Sequence, residues 1–185
     1  VKPYVLVLYY SRHGKTLELA NLVARGVESV NGIEAKIRTV PSVAPTTQIA
    51  EPTVPASGAV YVTLDELKNC AGLMLGSPTR FGNMAAPLKY FLDSTIGLWV
   101  AGDLVNKPAG FFCSSTSMHV GNETTLVSMM FPLIHHGCVI VGVPYTEQAL
   151  TDTTQGGTPY GCSHVSGRDN SRVFTEEEKT LAILH

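Results

Sequence analysis

Residues 5–30 leave this chain few ways to fold. Val5-Leu6-Val7-Leu8-Tyr9 is an unbroken run of β-favouring and bulky apolar residues. It enters a short polar loop, Ser11-Arg12-His13-Gly14-Lys15-Thr16, and the loop enters residues 17–30. There Ala20, Val23, Ala24, Val27 and Val30 recur at helical spacing. The order is strand, tight loop, helix. A helix N-terminus presents unpaired backbone N–H groups and the positive end of its dipole, so it attracts anions. Ser11 and Thr16 add hydroxyl donors, Gly14 lets the backbone come close, and Arg12 and Lys15 add charge. The stretch reads as a cradle for a phosphate; a polar loop that binds nothing is the other reading.

The spacing narrows which phosphate is meant. Gly14-Lys15-Thr16 looks like the end of a triphosphate-binding P-loop, but that motif needs a glycine where Tyr9 stands. The three glycines of a dinucleotide fingerprint are also absent. A single terminal phosphate, as in a mononucleotide, fits best.

Down the chain, strand and helix alternate. Residues 33–40 alternate as a second strand, and residues 41–62 form a proline-bearing excursion with Pro41, Pro45, Pro52 and Pro55. Thr63 and Glu66 make a capping box. Residues 71–76 are a buried third strand leading to Ser77-Pro78-Thr79-Arg80-Phe81-Gly82-Asn83-Met84 and a helix over 85–95 with Leu88, Phe91 and Leu92 inward. An apolar insert, 97–105, carries the lone tryptophan, Trp99. Residues 109–113 are a fourth strand, followed by a polar loop from Ser114, a helix over 125–136 and a fifth strand over 138–143. In that helix Leu126, Met129, Met130, Leu133 and Ile134 are available to the core. Residues 145–174 are a second excursion, and Thr175 with Glu178 forms another capping box.

This alternation predicts one α/β domain over residues 1–185: a doubly wound, five-stranded parallel sheet with helices on both faces. With strands in the order 2-1-3-4-5, the loops at 11–16, 77–84 and 114–121 converge beyond the carboxyl ends of strands one, three and four. The first would take the phosphate and the other two would clasp a flat ring, with Thr79, Arg80 and Asn83 as hydrogen-bond partners.

Composition excludes other classes. The net charge is −2 with no basic run, which points away from nucleic acid and anionic membrane. No signal peptide and no bilayer-spanning apolar run is expected. Cys70, Cys113, Cys138 and Cys162 form no CxxC pair, so free thiols in a reducing, cytoplasmic setting are expected. His135 and His136 are adjacent and point about 100° apart on a helix, so no metal site is expected.

Tyr9-Tyr10-Ser11 with Gly14, the run from Gly76 to Met84, His135-His136-Gly137 and Gly156-Gly157-Thr158-Pro159-Tyr160-Gly161 together resemble the WrbA family over nearly the whole chain. Members are flavodoxin-like NAD(P)H:quinone oxidoreductases that carry FMN. The resemblance implies FMN phosphate at Ser11, Arg12, His13, Gly14, Lys15 and Thr16. It implies the ring near Pro78, Thr79, Arg80, Phe81 and Asn83, along Ser114, Ser115, Thr116, Ser117, Met118, His119, Val120 and Gly121, and near His135. Trp99, His13 and Tyr145 are the residues expected to meet substrate, with Trp99 bordering the flavin of a neighbour in a homotetramer. The implied reaction is ping-pong, two-electron reduction of a quinone by NAD(P)H. Two alternatives are a flavodoxin-type electron carrier and a flavin-containing regulatory binding protein. The chain departs from the family pattern in its basic first loop and in Ser117-Met118-His119-Val120-Gly121, where the family is glycine-rich.

Overall fold

The structure, a computed structural model, describes residues 2–44 and 57–185. Pro45, Pro52 and Pro55 of the first excursion lie outside the described residues. β1 (Tyr4–Tyr9) is an inner strand, flanked by β2 (Glu34–Thr39) and the central β3 (Gly72–Pro78), with β4 (Pro108–Ser115) beyond β3. All pairings are parallel, and the order of the first five strands is β2-β1-β3-β4-β5, as expected from the sequence.

Both faces of the sheet are covered, which is why its strands read as continuous apolar runs. Leu6, Leu8, Leu73, Leu75 and Phe111 point to one side. There they meet Leu88 and Leu92 of α3 (Ala86–Asp93) and Leu126, Met129 and Leu133 of α5 (Asn122–His135). Val7, Tyr9, Met74 and Phe112 point to the other. They meet Leu19, Ala20 and Val23 of α1 (Lys15–Glu28) and Leu181 of α7 (Glu176–Leu184). Val30 is exposed because α1 ends at Glu28, short of the expected helix, and Ile134 is exposed because the inward stripe of α5 is narrower than the spacing suggests.

Both capping boxes form. Thr63 caps α2 (Leu64–Lys68) and Thr175 caps α7, each with reciprocal bonds to the glutamate three residues on. The insert around Trp99 is a short helix, α4 (Ile96–Ala101).

The fifth strand departs from expectation. β5 is only Val139–Ile140, paired with Pro108 and Ala109. Val141 N–H still donates to Ala109, but Val143 N–H donates to Pro159 O at 3.0 Å instead, and Pro144 has no N–H to give. The chain therefore leaves β4, forms α6 (Gln148–Asp152) and returns as β6 (Cys162–Val165). β6 takes the vacated edge, parallel to Phe112–Ser115. The stretch read as an irregular excursion thus holds a strand whose carboxyl end lies beside that of β4.

Candidate functional site

The loops leaving β1, β3 and β4 meet in one cleft of about 690 Å³. Ser11, Arg12, His13, Lys15 and Thr16 line one part, Pro78, Thr79, Arg80 and Phe81 another, and Ser114, Ser115, Thr116 and Val120 a third. Most of the residues singled out from sequence are therefore brought together.

The first loop is held from within. Ser11 Oγ accepts from Gly14 N–H at 3.1 Å, and Gly14 adopts φ +91°, which favours glycine. α1 starts at Lys15, two residues earlier than its apolar periodicity suggests, so the Ser11–Gly14 turn runs directly into its first N–H groups. Thr16 is buried, and its hydroxyl lies 2.8 Å from that of Ser114, tying this loop to the end of β4. Lys15 pairs with Glu18 at 3.1 Å.

Past β3 the backbone makes a tight turn. Arg80 N–H donates to Asn83 O and Asn83 N–H donates back to Arg80 O, at 2.9 and 3.0 Å. Both central residues, Phe81 and Gly82, have positive φ, 53° and 72°. Positive φ at a bulky side chain is uncommon and strained, and such residues cluster at functional sites. It leaves the Phe81 ring fully exposed at the cleft. The Arg80 guanidinium donates to Thr79 O at 2.7 Å, which holds it back along the loop.

Several expected residues do other work. Asn83 does not line the cleft; its side chain accepts from Met84 N–H and its backbone closes the turn. Gly121 also stands off the cleft wall: a Cβ there would come within 2.7 Å of Gly82 Cα, so the two loops pack backbone to backbone. Ser117 and Met118 line a neighbouring pocket of about 360 Å³, and His119 lines neither.

His135, Trp99 and Tyr145 also fall outside the cleft of their own chain. The Trp99 indole donates to His135 O at 2.8 Å on the outer surface, and Tyr145 is 70% exposed. Ile96 and Val100 of α4 and Phe131 and Ile134 of α5 are exposed as well. His136 is instead buried, within 2.8 Å of the Thr95 hydroxyl, and burial lowers its imidazole below its ordinary value. Among the described residues no group of three His, Cys, Asp or Glu side chains is placed to hold a metal ion. No helix among them is long and apolar enough to cross a membrane.

A fourth wall was missed in the sequence. Ser166, Gly167, Arg168, Asp169 and Asn170, just after β6, also line the cleft. Ser166 donates from both N–H and Oγ to Ser115 O, at 2.7 and 2.9 Å. Asn170 Nδ2 donates to His13 O at 3.1 Å, clasping this loop to the first. The Asp169 carboxylate accepts from Ser171 Oγ and N–H, which hold it below its ordinary value. The turn-forming composition of 166–171 was the available signal; its place beside β4 was not written locally.

Behind this wall lies a buried carboxylate–imidazole pair. Glu178 Oε2 lies 2.9 Å from His164 Nδ1, both side chains fully inaccessible, and His164 stacks on Phe174 at 3.8 Å. Burial alone would raise the Glu178 carboxyl, but bonds from His164, Thr175 N–H and Val165 N–H hold it below its ordinary value.

With that geometry in hand, likeness to known proteins is informative. The family described as NADPH-dependent FMN reductase matches residues 3–149. A curated relative from Solidesulfovibrio magneticus, named NAD(P)H dehydrogenase (quinone), is 41% identical over 96% of this chain and 91% of its own. Another of the same name from Chromohalobacter salexigens is 43% identical over 96% and 90%. Among solved structures, a flavodoxin-type, WrbA-like protein from Agrobacterium tumefaciens superposes with a TM-score of 0.66 at 19% identity, over 98% of this chain and 91% of that one. An archaeal flavodoxin superposes with a TM-score of 0.60 at 20% identity, over 97% and 94%. At those identities the likeness establishes the flavodoxin-like fold.

Proposed function

The chain belongs to the NADPH-dependent FMN reductase family, and on that premise we propose that it is an FMN-dependent NAD(P)H:quinone oxidoreductase of the cytoplasm. Curated relatives named NAD(P)H dehydrogenase (quinone) at 41% and 43% identity support the activity. The observation that carries the reading is the convergence of the loops after β1, β3 and β4 on one cleft, basic at one part and neutral at another.

The donor set suits FMN. Ser11, Thr16 and the first N–H groups of α1 offer donors to one phosphate, with Arg12 and Lys15 supplying charge, while Gly14, whose N–H is taken by Ser11 Oγ, shapes the turn from behind the cleft wall. Asp169 is the sole carboxylate on the cleft wall among the described residues, and it is engaged by Ser171. Pro78, Thr79, Phe81 and the backbone of Ser114–Thr116 offer a neutral surface with peptide groups for a flat heterocycle. When bound, FMN supplies the two-electron redox chemistry. The chain orients that group and its two flat substrates in turn. Arg80, held by Thr79 O, stabilises negative charge developing beside the loop. Phe81 forms a wall against which an aromatic substrate stacks.

Assembly is part of the proposal. Trp99, Ile96, Val100, Phe131 and Ile134 are exposed apolar side chains that suit burial against another copy in a homotetramer. Trp99, Tyr145 and His135 would then act at a neighbour's cleft rather than their own. A flavodoxin-type carrier docks through an acidic face; the charged rim here is Arg12, Lys15, Arg80 and Arg168 against one aspartate.

The test is an anaerobic titration of the FMN-loaded protein with NADPH or NADH, followed by benzoquinone. Bleaching of the flavin and its return on adding quinone are expected. A flavin that neither nucleotide bleaches would overturn the reading.

A further inference from the structure

The cleft does not end at its fourth wall. A second pocket, of about 360 Å³, shares Thr116, Gly167, Arg168 and Asp169 with it and continues past them to Arg172. Arg168 stands between the two spaces. Among the described residues it has neither an ion-pair partner nor a side-chain hydrogen bond, and the same holds for Arg12. Arg172 reaches only a neutral oxygen, Gln155 Oε1 at 3.4 Å. The carboxylate of Asp169 is bonded to Ser171 and forms no ion pair with either arginine, so the two guanidinium groups outweigh it and the pocket keeps a net positive charge.

The loop that carries these arginines is pinned at three points: Ser166 to Ser115 O, Arg172 N–H to Ser166 O, and Asn170 to His13 O. A pinned backbone lowers the ordering cost of using an arginine as an anion contact. A phosphate in the loop after β1 would be served by donors at the other part of the cleft, so the Arg168–Arg172 pocket has charge available for a second anion. The substrates of the proposed reaction differ in just that respect. Quinones are neutral, NADH carries a bridging pyrophosphate, and NADPH carries a further dianionic phosphate on its adenosine ribose.

We propose that the pocket beyond Arg168 receives the ribose 2′-phosphate of NADPH, and that Arg168, with Arg172, makes the enzyme select NADPH over NADH. This rests on the oxidoreductase reading above. Guanidinium–phosphate contacts are directional and charge-assisted, and removing one costs about tenfold in affinity.

The test uses the FMN-loaded protein and its Arg168→Gln and Arg172→Gln variants. Anaerobic flavin reduction is followed with NADPH and with NADH. Binding of 2′,5′-ADP and of 5′-AMP is measured by calorimetry at low and moderate salt. The original protein should favour NADPH about tenfold in kcat/KM and 2′,5′-ADP over 5′-AMP by a similar factor. Arg168→Gln should raise KM for NADPH more than it lowers kcat, bring both ratios towards one, and flatten the salt dependence of 2′,5′-ADP binding. Equal use of both nucleotides by the original protein, or ratios that survive Arg168→Gln, would overturn the assignment while flavin reduction itself stands. So would a variant whose NADPH preference holds while its rate with a sulfonated quinone falls relative to a neutral one. If neither nucleotide reduces the flavin, the oxidoreductase reading fails and this inference with it, unless the 2′,5′-ADP preference remains and moves with Arg168.

Discussion

Replacing Glu178 tests how the fourth wall of the cleft is held. Its Oε1 accepts from Gly156 N–H and Val165 N–H, at 3.0 and 3.2 Å, and its Oε2 accepts from Thr175 N–H and His164 Nδ1, at 3.0 and 2.9 Å. One inaccessible carboxylate thus joins the start of α7, the Gly156 turn and the strand that leads into Ser166–Asn170. Glu178→Ala leaves these buried donors without their charged acceptor, at a cost of about 3–5 kcal/mol. For a chain of this size that is a fall in Tm on the order of 10 °C. Glu178→Gln retains the oxygen facing Gly156 and Val165 but offers an amide NH₂ to the Thr175 N–H, so it should cost about 1–3 kcal/mol. The pH dependence has a definite sign. Because the hydrogen bonds outweigh burial, the folded carboxyl lies below its ordinary 4.5. Its contribution is complete above that ordinary value and is lost as pH falls through the folded one. Urea unfolding of the original, Gln and Ala proteins, from neutral pH downward, measures this directly. A Gln variant as stable as the original at neutral pH, or a gap that widens with acid, would refute the reasoning.

Other outcomes follow from single contacts. Thr16→Val removes a hydroxyl that bridges to Ser114 at 2.8 Å; FMN affinity should fall by about 1.5–3 kcal/mol while riboflavin affinity changes far less, as fluorescence titration reports. Gly121→Ala puts a Cβ against Gly82 Cα in a positive-φ site; a loss of at least ~1–2 kcal/mol in urea unfolding is expected, and an unchanged midpoint would remove Gly121 from the loop contact. Trp99→Ala should shift the assembly towards smaller species in sedimentation and lower activity at high dilution, leaving FMN affinity nearly intact because the phosphate loop lies elsewhere; a fully active monomer would return Trp99 to an ordinary surface role.

What sequence alone determined was local or followed from local order. The β1–loop–α1 unit is legible because strand burial and helical periodicity are properties of consecutive residues. The Thr63–Glu66 and Thr175–Glu178 boxes are legible because each closes within four residues. Alternation of strand and helix implies the parallel sheet, and 2-1-3-4-5 is the order under which the polar loops at Ser11, Thr79 and Ser115 meet, as they do. What tertiary structure decided were contacts between residues far apart in the chain. The edge beside β4 is divided between Val139–Ile140 and Cys162–Val165 because Pro159 intercepts the backbone of Val143. That division carries Arg168 and Asn170 to the cleft, although the same residues read locally as a turn. Gly121 looks like a ring contact in a polar loop, and only the approach of Gly82 shows why a side chain is excluded there. Glu178 looks like half of a helix cap, yet His164, fourteen residues earlier, makes it the centre of a buried pair. Periodicity records which face of an element is apolar; it holds no record of which distant backbone will lie against it.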